Sequence, residues 1–250
     1  MSNEMMKSIS FNLGSPATEL AGITNKRKSV RLGADVAGEE RTIDANLWLP
    51  RAAEHYQISP RLSDYILVPV PSLVSELPNT NGDSVTKEEL MRFMPEFGQL
   101  AYRTWVGKPT FVEHANKDIT KAKGVILDVF LRRLPKFAGG HVKAIKLLGF
   151  DRTKDPVLCQ AILDHKVNTY SLGMYFKAYE CSICGNEVGQ NSGEPCRHTR
   201  PRRKTYKQSD GRLAYRRCKS IVGFETSVVA DPAFCSANSD IIMNPQDLGF

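Results

Sequence analysis

The run Gly124-Val-Ile-Leu-Asp-Val-Phe-Leu-Arg-Arg133 sets the reading of this chain. It is β-branched and apolar on both faces, which predicts a central strand covered from both sides. His141–Phe150 reads as its neighbour, and Thr110-Phe-Val-Glu-His114, just upstream, as a short extended segment. Val167–Tyr179 and Leu213–Ala230 return the same texture downstream, the second ending at Asp231-Pro232. Toward the N-terminus, Asp64-Tyr-Ile-Leu-Val-Pro-Val-Pro71 is the first clear strand, and Pro69 and Pro71 suit a sheet edge or a strand end.

Two helices fit between these strands. Thr86-Lys-Glu-Glu89 matches a capping box, and Leu90, Phe93, Met94, Phe97 and Leu100 follow at helical spacing. That pattern predicts a helix with one buried face, bent or split at Pro95. Asp155-Pro156 has the cap-plus-proline pattern of a second start, with Val157, Ile162 and Leu163 ending near Asp164. Many strands, few helices and no regular alternation argue for an α+β fold or a mainly antiparallel β core. Residues 1–45 are rich in Gly, Ser, Thr, Asn and charge, and read as a flexible N-terminal segment. Residues 46–240 form the main domain, with an insertion over 180–212, and 241–250 form a C-terminal tail.

Composition narrows the class. Hydrophobic residues make up 41% and charged residues 24% of the 250, as in an ordinary globular protein. No run approaches the roughly 18 apolar residues of a membrane helix. The N-terminus, which carries Met5 and Met6, has no apolar core of signal-peptide length, so the expectation is a cytoplasmic protein without membrane partners. A net charge of +7 favours acidic partners, and much of the excess lies in Lys26–Arg31 and Arg197–Lys207. Such runs are more often solvated faces than binding sites. Neither a phosphate-binding G-x-x-x-x-G-K-[ST] loop nor a G-x-G-x-x-G turn occurs, so nucleotide use has no support.

The six cysteines are Cys159, Cys181, Cys184, Cys196, Cys218 and Cys235. Cys181-Ser-Ile-Cys184-Gly-Asn is followed by Cys196-Arg-His198, with eleven residues between Cys184 and Cys196. A C-x-x-C turn aims two thiolates at one ion, and Gly185 supplies the backbone conformation such knuckles need. Cys196 and His198 can close the tetrahedron. Three sulfurs and an imidazole select Zn2+, and four protein ligands leave no open position, so the zinc is expected to be structural. A redox C-x-x-C would need a thioredoxin-like strand–helix context, which is lacking here.

Spacing alone makes none of the five histidines or the serines catalytic. However, Phe111-Val-Glu-His114-Ala-Asn, the strand 124–133, and Val167-Asn-Thr-Tyr-Ser171-Leu-Gly173 resemble the prohead (capsid-maturation) proteases of tailed bacteriophages. A subset of that family carries a C-S-x-C-G-N…C-x-H insertion after the serine strand, similar to Cys181–His198. Gly223-Phe-Glu225-Thr-Ser-Val-Val-Ala-Asp231-Pro-Ala resembles the family's closing segment. The resemblance covers roughly 109–237, in order.

It implies a β-barrel surrounded by helices, like the herpesvirus assembly proteases. It implies a serine endopeptidase acting on scaffold (core) and major capsid proteins inside the assembling prohead, in the host cytoplasm. By position, Ser171 would be the nucleophile and His114 the base that takes its proton. Glu225 is the first choice for the group that orients the imidazole, with Asp231 in reserve and His141 as a further alternative. Backbone N–H groups near Gly173 could serve an oxyanion hole, because glycine permits close approach of substrate. However, Leu172 and Gly173 stand where some family members carry an arginine, so no oxyanion residue is assigned. Residues 1–45 would be a candidate propeptide, with Ala17-Thr-Glu19 and Ala37-Gly-Glu39 matching the family's self-cleavage pattern. Two readings compete: a head-assembly protein that has lost activity, and a zinc-knuckle nucleic-acid binder. The second would place Arg200, Arg202, Arg203 and Lys204 on phosphates and Tyr206 on a base, but it leaves the strands, His114 and Ser171 without a role.

Overall fold

Alternating and continuous burial along a few long strands builds the molecule, seen in a computed structural model that describes residues 45, 48–134, 139–199, 206–234, 237–239 and 242–244. Helix α1 (Leu49–Tyr56) opens it, burying Leu49, Ala52, Ala53 and Tyr56 at helical spacing. Strand β1 (Tyr65–Val74) follows, then β2 (Asp83–Val85), the single turn α2 (Lys87–Leu90), and the hairpin of β3 (Phe93–Met94) and β4 (Gln99–Leu100). A 3-10 turn over Ala101–Trp105 leads to β5 (Pro109–Val112), β6 (Gly124–Arg133) and β7 (Val142–Asp151). Helix α3 (Pro156–Leu163) precedes β8 (Tyr170–Tyr175), β9 (Ala178–Cys181) and β10 (Glu187–Gly189). The short β11 (Tyr206–Lys207) and β12 (Leu213–Ala214) pair, and β13 (Arg216–Lys219) and β14 (Val222–Val228) complete the order.

The fold is α+β, dominated by strands. Its main sheet has six strands in the order β1-β7-β6-β5-β14-β8, antiparallel except for the parallel β5–β14 pair. A second sheet, β10-β9-β13-β2, lies apart from it in the hydrogen-bonding pattern. As its prolines require, β1 is an edge strand, while β6 is central and buried from Gly124 to Leu131.

The six-stranded sheet curls into a half-barrel. In a flat sheet β7 and β14 would be three spacings, about 14 Å, apart. Here the Lys146 Nζ on β7 donates to the Thr226 hydroxyl on β14 at 2.9 Å, and the Phe150 and Tyr170 rings lie 6.2 Å apart. The chain after β14 runs along both edges. Met243 bridges Leu67 on β1, and Asn238 bridges Thr169 beside β8, so backbone groups that would otherwise face solvent are partly covered.

Two expectations need correction. Thr86 caps as predicted, accepting from the Glu89 N–H at 3.1 Å, but the helix ends at Leu90. Pro95 terminates it, and a turn closed by Gly98, at φ +62°, folds 93–100 into a hairpin that leaves Phe93 exposed. Glu89 does not reach back to the cap. It turns to Arg92 and accepts from the Ile221 N–H at 2.8 Å, tying α2 to the entry of β14. The second correction is that the extended segment stops at Val112, because Glu113 and His114 have φ of +48° and +54°. The second helix starts as expected, with the Asp155 carboxylate accepting from the Leu158 N–H at 2.9 Å.

Candidate active site and metal centre

Strand β14 carries one half of the candidate site and places the other. On its antiparallel side Glu225 faces Gly173 and Ser227 faces Ser171, while on its parallel side Ser227 is in register with Phe111. Cross-strand partners share a face, as do alternate residues along a strand. Ser171, Gly173, Glu225 and Ser227 therefore lie on one face, and Thr226 points the other way, into the half-barrel.

His114 reaches that face through the two left-handed residues. The Glu113 N–H donates to the Val228 carbonyl and its carboxylate accepts from the Ala230 N–H, both at 2.8 Å, so the turn is pinned at each end to the chain it crosses. Holding two non-glycine residues at positive φ costs about 1–3 kcal/mol each, and such strain concentrates at functional sites. Its result is that the His114 Nδ1 lies 2.8 Å from the Glu225 Oε1.

Glu225 is fully buried, and its second oxygen, Oε2, accepts from the Ser227 hydroxyl at 2.5 Å. The hydrogen bond to Glu225 raises the His114 pKa above its ordinary 6.5; partial burial opposes this, and the charges of Glu225 and Glu113 add to it. With Nδ1 committed to Glu225, Nε2 is the ring nitrogen left for proton transfer. Ser171 is buried one strand away.

Gly173 has a use within the site itself. A Cβ there would stand 2.3 Å from the Glu225 Oε1 and 2.6 Å from the Phe224 Cζ. The missing side chain makes room for the buried carboxylate. Its carbonyl is also occupied, accepting from the Trp105 indole N–H at 2.9 Å.

The reserve partners are not at this site. Asp231 is exposed beyond the end of β14. His141 precedes β7 at the far end of the β6–β7 hairpin, roughly 30 Å of strand from the Gly124 that neighbours Thr110. Sequence reasoning missed Ser227, whose signal was the alternation Glu225-x-Ser227 on a strand. It also missed Lys146, a cation in the otherwise apolar stretch Ala144–Leu148.

The cysteine cluster is built as the spacing predicted. Cys181 ends β9, Gly185 turns at φ +71°, and the ligand atoms of Cys181, Cys184, Cys196 and His198 lie within 4.8 Å of one another. The His198 Nδ1 is 3.8 Å from the Cys181 Sγ and 3.7 Å from the Cys196 Sγ. A tetrahedron with metal–sulfur bonds of about 2.3 Å and metal–nitrogen bonds of about 2.0 Å has edges of about 3.5–3.8 Å, so the donor set fits one metal ion. The Ile183 N–H donates to the Cys181 Sγ at 3.4 Å, orienting that sulfur. All five described cysteines are free thiols.

No described helix is long and apolar enough to cross a membrane. Apart from the buried Ala45, the candidate propeptide with its two cleavage motifs lies outside the described residues. So do the tract Lys26–Arg31, Cys235, residues 245–250 and most of the basic run after His198. No family model, curated protein or solved structure matches the chain.

Proposed function

We propose that the protein is a serine hydrolase whose triad is Ser171, His114 and Glu225. More particularly, we propose the capsid-maturation protease of a tailed bacteriophage, a β-barrel enzyme that cleaves scaffold and major capsid proteins. The observation that carries this reading is the His114–Glu225 pair at 2.8 Å beside the serine strand. It joins two residues drawn from separate motifs of the resemblance, the serine of a third motif lies on the neighbouring strand, and the carboxylate is fully buried.

In this reading the Ser171 hydroxyl oxygen attacks the scissile carbonyl carbon while its proton passes to the His114 Nε2. Glu225 accepts from Nδ1–H, fixes the tautomer and stabilises the imidazolium. The proton then goes to the leaving amine as the acyl–enzyme forms, and water, activated by the same imidazole, releases the acid. Ser227 is the rival nucleophile, but its hydroxyl is committed to Glu225. The metal is proposed to be a structural Zn2+, chosen by three thiolates and one imidazole with no position left open.

The test compares wild type with Ser171→Ala, each co-expressed with its own capsid and scaffold proteins, by intact mass. Specific truncated products from wild type and none from the variant are the expected result. Equal processing by both, or by neither with the metal bound, would overturn the reading.

A further inference from the structure

Lys146 stands at the centre of β7 with no solvent exposure at all. Its ammonium lies 4.2 Å above the centre of the Trp105 ring and donates to the Thr226 hydroxyl at 2.9 Å. Among the described residues no carboxylate comes within 4.0 Å of it. An unpaired buried amine is destabilising, and a methionine of similar shape would fill the space without that cost. Packing therefore gives no reason for a lysine here.

Its two contacts both lead to the candidate site. Thr226 lies between Glu225 and Ser227 on β14. Trp105 donates to the carbonyl of Gly173, the residue opposite Glu225, and its ring fills the space that Gly223 leaves, where a Cβ would stand 2.2 Å from the indole. Thr110, in register with Thr226 on β5, is fully buried with a hydroxyl lacking a hydrogen-bond partner, so the same interior layer holds a second acceptor. The lysine thus sits behind the strand whose outer face carries the buried carboxylate.

The charges around that carboxylate are few. Among the described residues, His114 faces it from the turn after β5, with Glu113 acting on His114 from the same turn, and Lys146 faces it from inside the half-barrel. On neighbouring elements, Arg103 of the 3-10 turn and Asp128 of β6 face each other at 3.8 Å, and Lys108 precedes β5. When His114 is neutral, as a general base must be, Lys146 is the cation set against Glu225 through β14. Burial pulls the Lys146 pKa well below the ordinary lysine range, while the Glu225 carboxylate pulls it back and the indole face favours a cation.

We propose that Lys146 is the buried countercharge of Glu225, a positioning residue that lets His114 rest neutral with Nδ1–H on the carboxylate and Nε2 free. The inference uses the His114–Glu225 pair of the proposed triad, but it is tested without any substrate.

Two NMR measurements decide it. In wild type, the Lys146 side-chain 15N and 13C shifts at pH 7 are expected to be those of an ammonium, and a neutral amine there overturns the proposal. In Lys146→Met, the carboxylate loses its interior cation and must hold a proton on His114 instead. The His114 midpoint is therefore expected to rise by about one unit, a tenfold change in proton affinity. An unchanged midpoint in a folded variant overturns the proposal, and if the variant does not fold, the wild-type lysine shifts decide alone. Where processing activity exists, the acidic limb of its pH profile is expected to move up with the midpoint. A wild type without protease activity would sink the proposed function and leave the two NMR results to judge Lys146.

Discussion

The metal centre and the triad-like site are assembled by opposite means. Three of the four metal ligands lie within sixteen residues, on a turn and its return, and their spacing dictates their meeting. His114 and Glu225 are 111 positions apart, and they meet only because β5 and β14 pair in one register and a strained turn doubles back. The first site depends on local geometry, and its four donors could hold a metal ion. The second depends on sheet register, where a slip of one residue would turn Glu225 and Ser227 into the half-barrel.

Substitutions can sharpen this contrast. The largest effect is expected for Glu225→Gln, which keeps the shape but removes the anion that orients His114. We expect kcat to fall about 10⁴-fold with the metal content unchanged, as metal analysis and steady-state kinetics would show. Gly173→Ala attacks the same carboxylate by displacement. The new methyl is expected to cost about 1–3 kcal/mol of stability, read by denaturant melts, and to lower kcat about 100-fold through misplacement of the histidine.

Cys184→Ser, or chelation, acts on the other region. It is expected to release one metal ion per chain and to expose the amides of 181–198 to hydrogen exchange, while amides of β6 and β7 stay protected. Equal loss of protection in both regions would erase the distinction drawn above.

The pH response should also separate the two sites. The folded pKa of His114 is raised by Glu225, so its neutral form, the general base of the proposed function, appears only as pH rises through that value, above the ordinary 6.5. Its contribution to stability has the opposite sense, present in full below 6.5 and lost as pH rises through the raised value. In Glu225→Gln the activity limb is expected to move to lower pH. The smallest effect is Thr86→Ala, which removes a helix cap for about 1 kcal/mol, a few degrees in melting temperature, without touching either site.

The same contrast explains how much the sequence could say. The metal ligands, the central strand 124–133, the edge prolines and the Asp155 cap follow from local chemistry and were all legible. The residues of the 93–100 hairpin carry helical spacing, yet Pro95 and Gly98 make a tight turn, and local punctuation prevailed over period. The partner of His114 had three candidates, because nothing near Glu225, Asp231 or His141 in sequence reveals which strand lies beside β5. The role of Gly173 was hidden for the same reason, since the atoms it makes room for arrive from another strand.

The position of β14 also bears on how the chain is made. The last long strand is inserted between β5 and β8, and Asn238 and Met243, after it in the chain, bridge the two edges of the sheet. A growing polypeptide emerging from the ribosome can pair β5, β6 and β7 early, but the other edge of β5 must wait for a partner more than 100 residues downstream. The carboxylate that orients His114 arrives on that same late strand. Until β14 has been made, His114 and Ser171 therefore stand without that carboxylate, and the triad of the proposed function is incomplete.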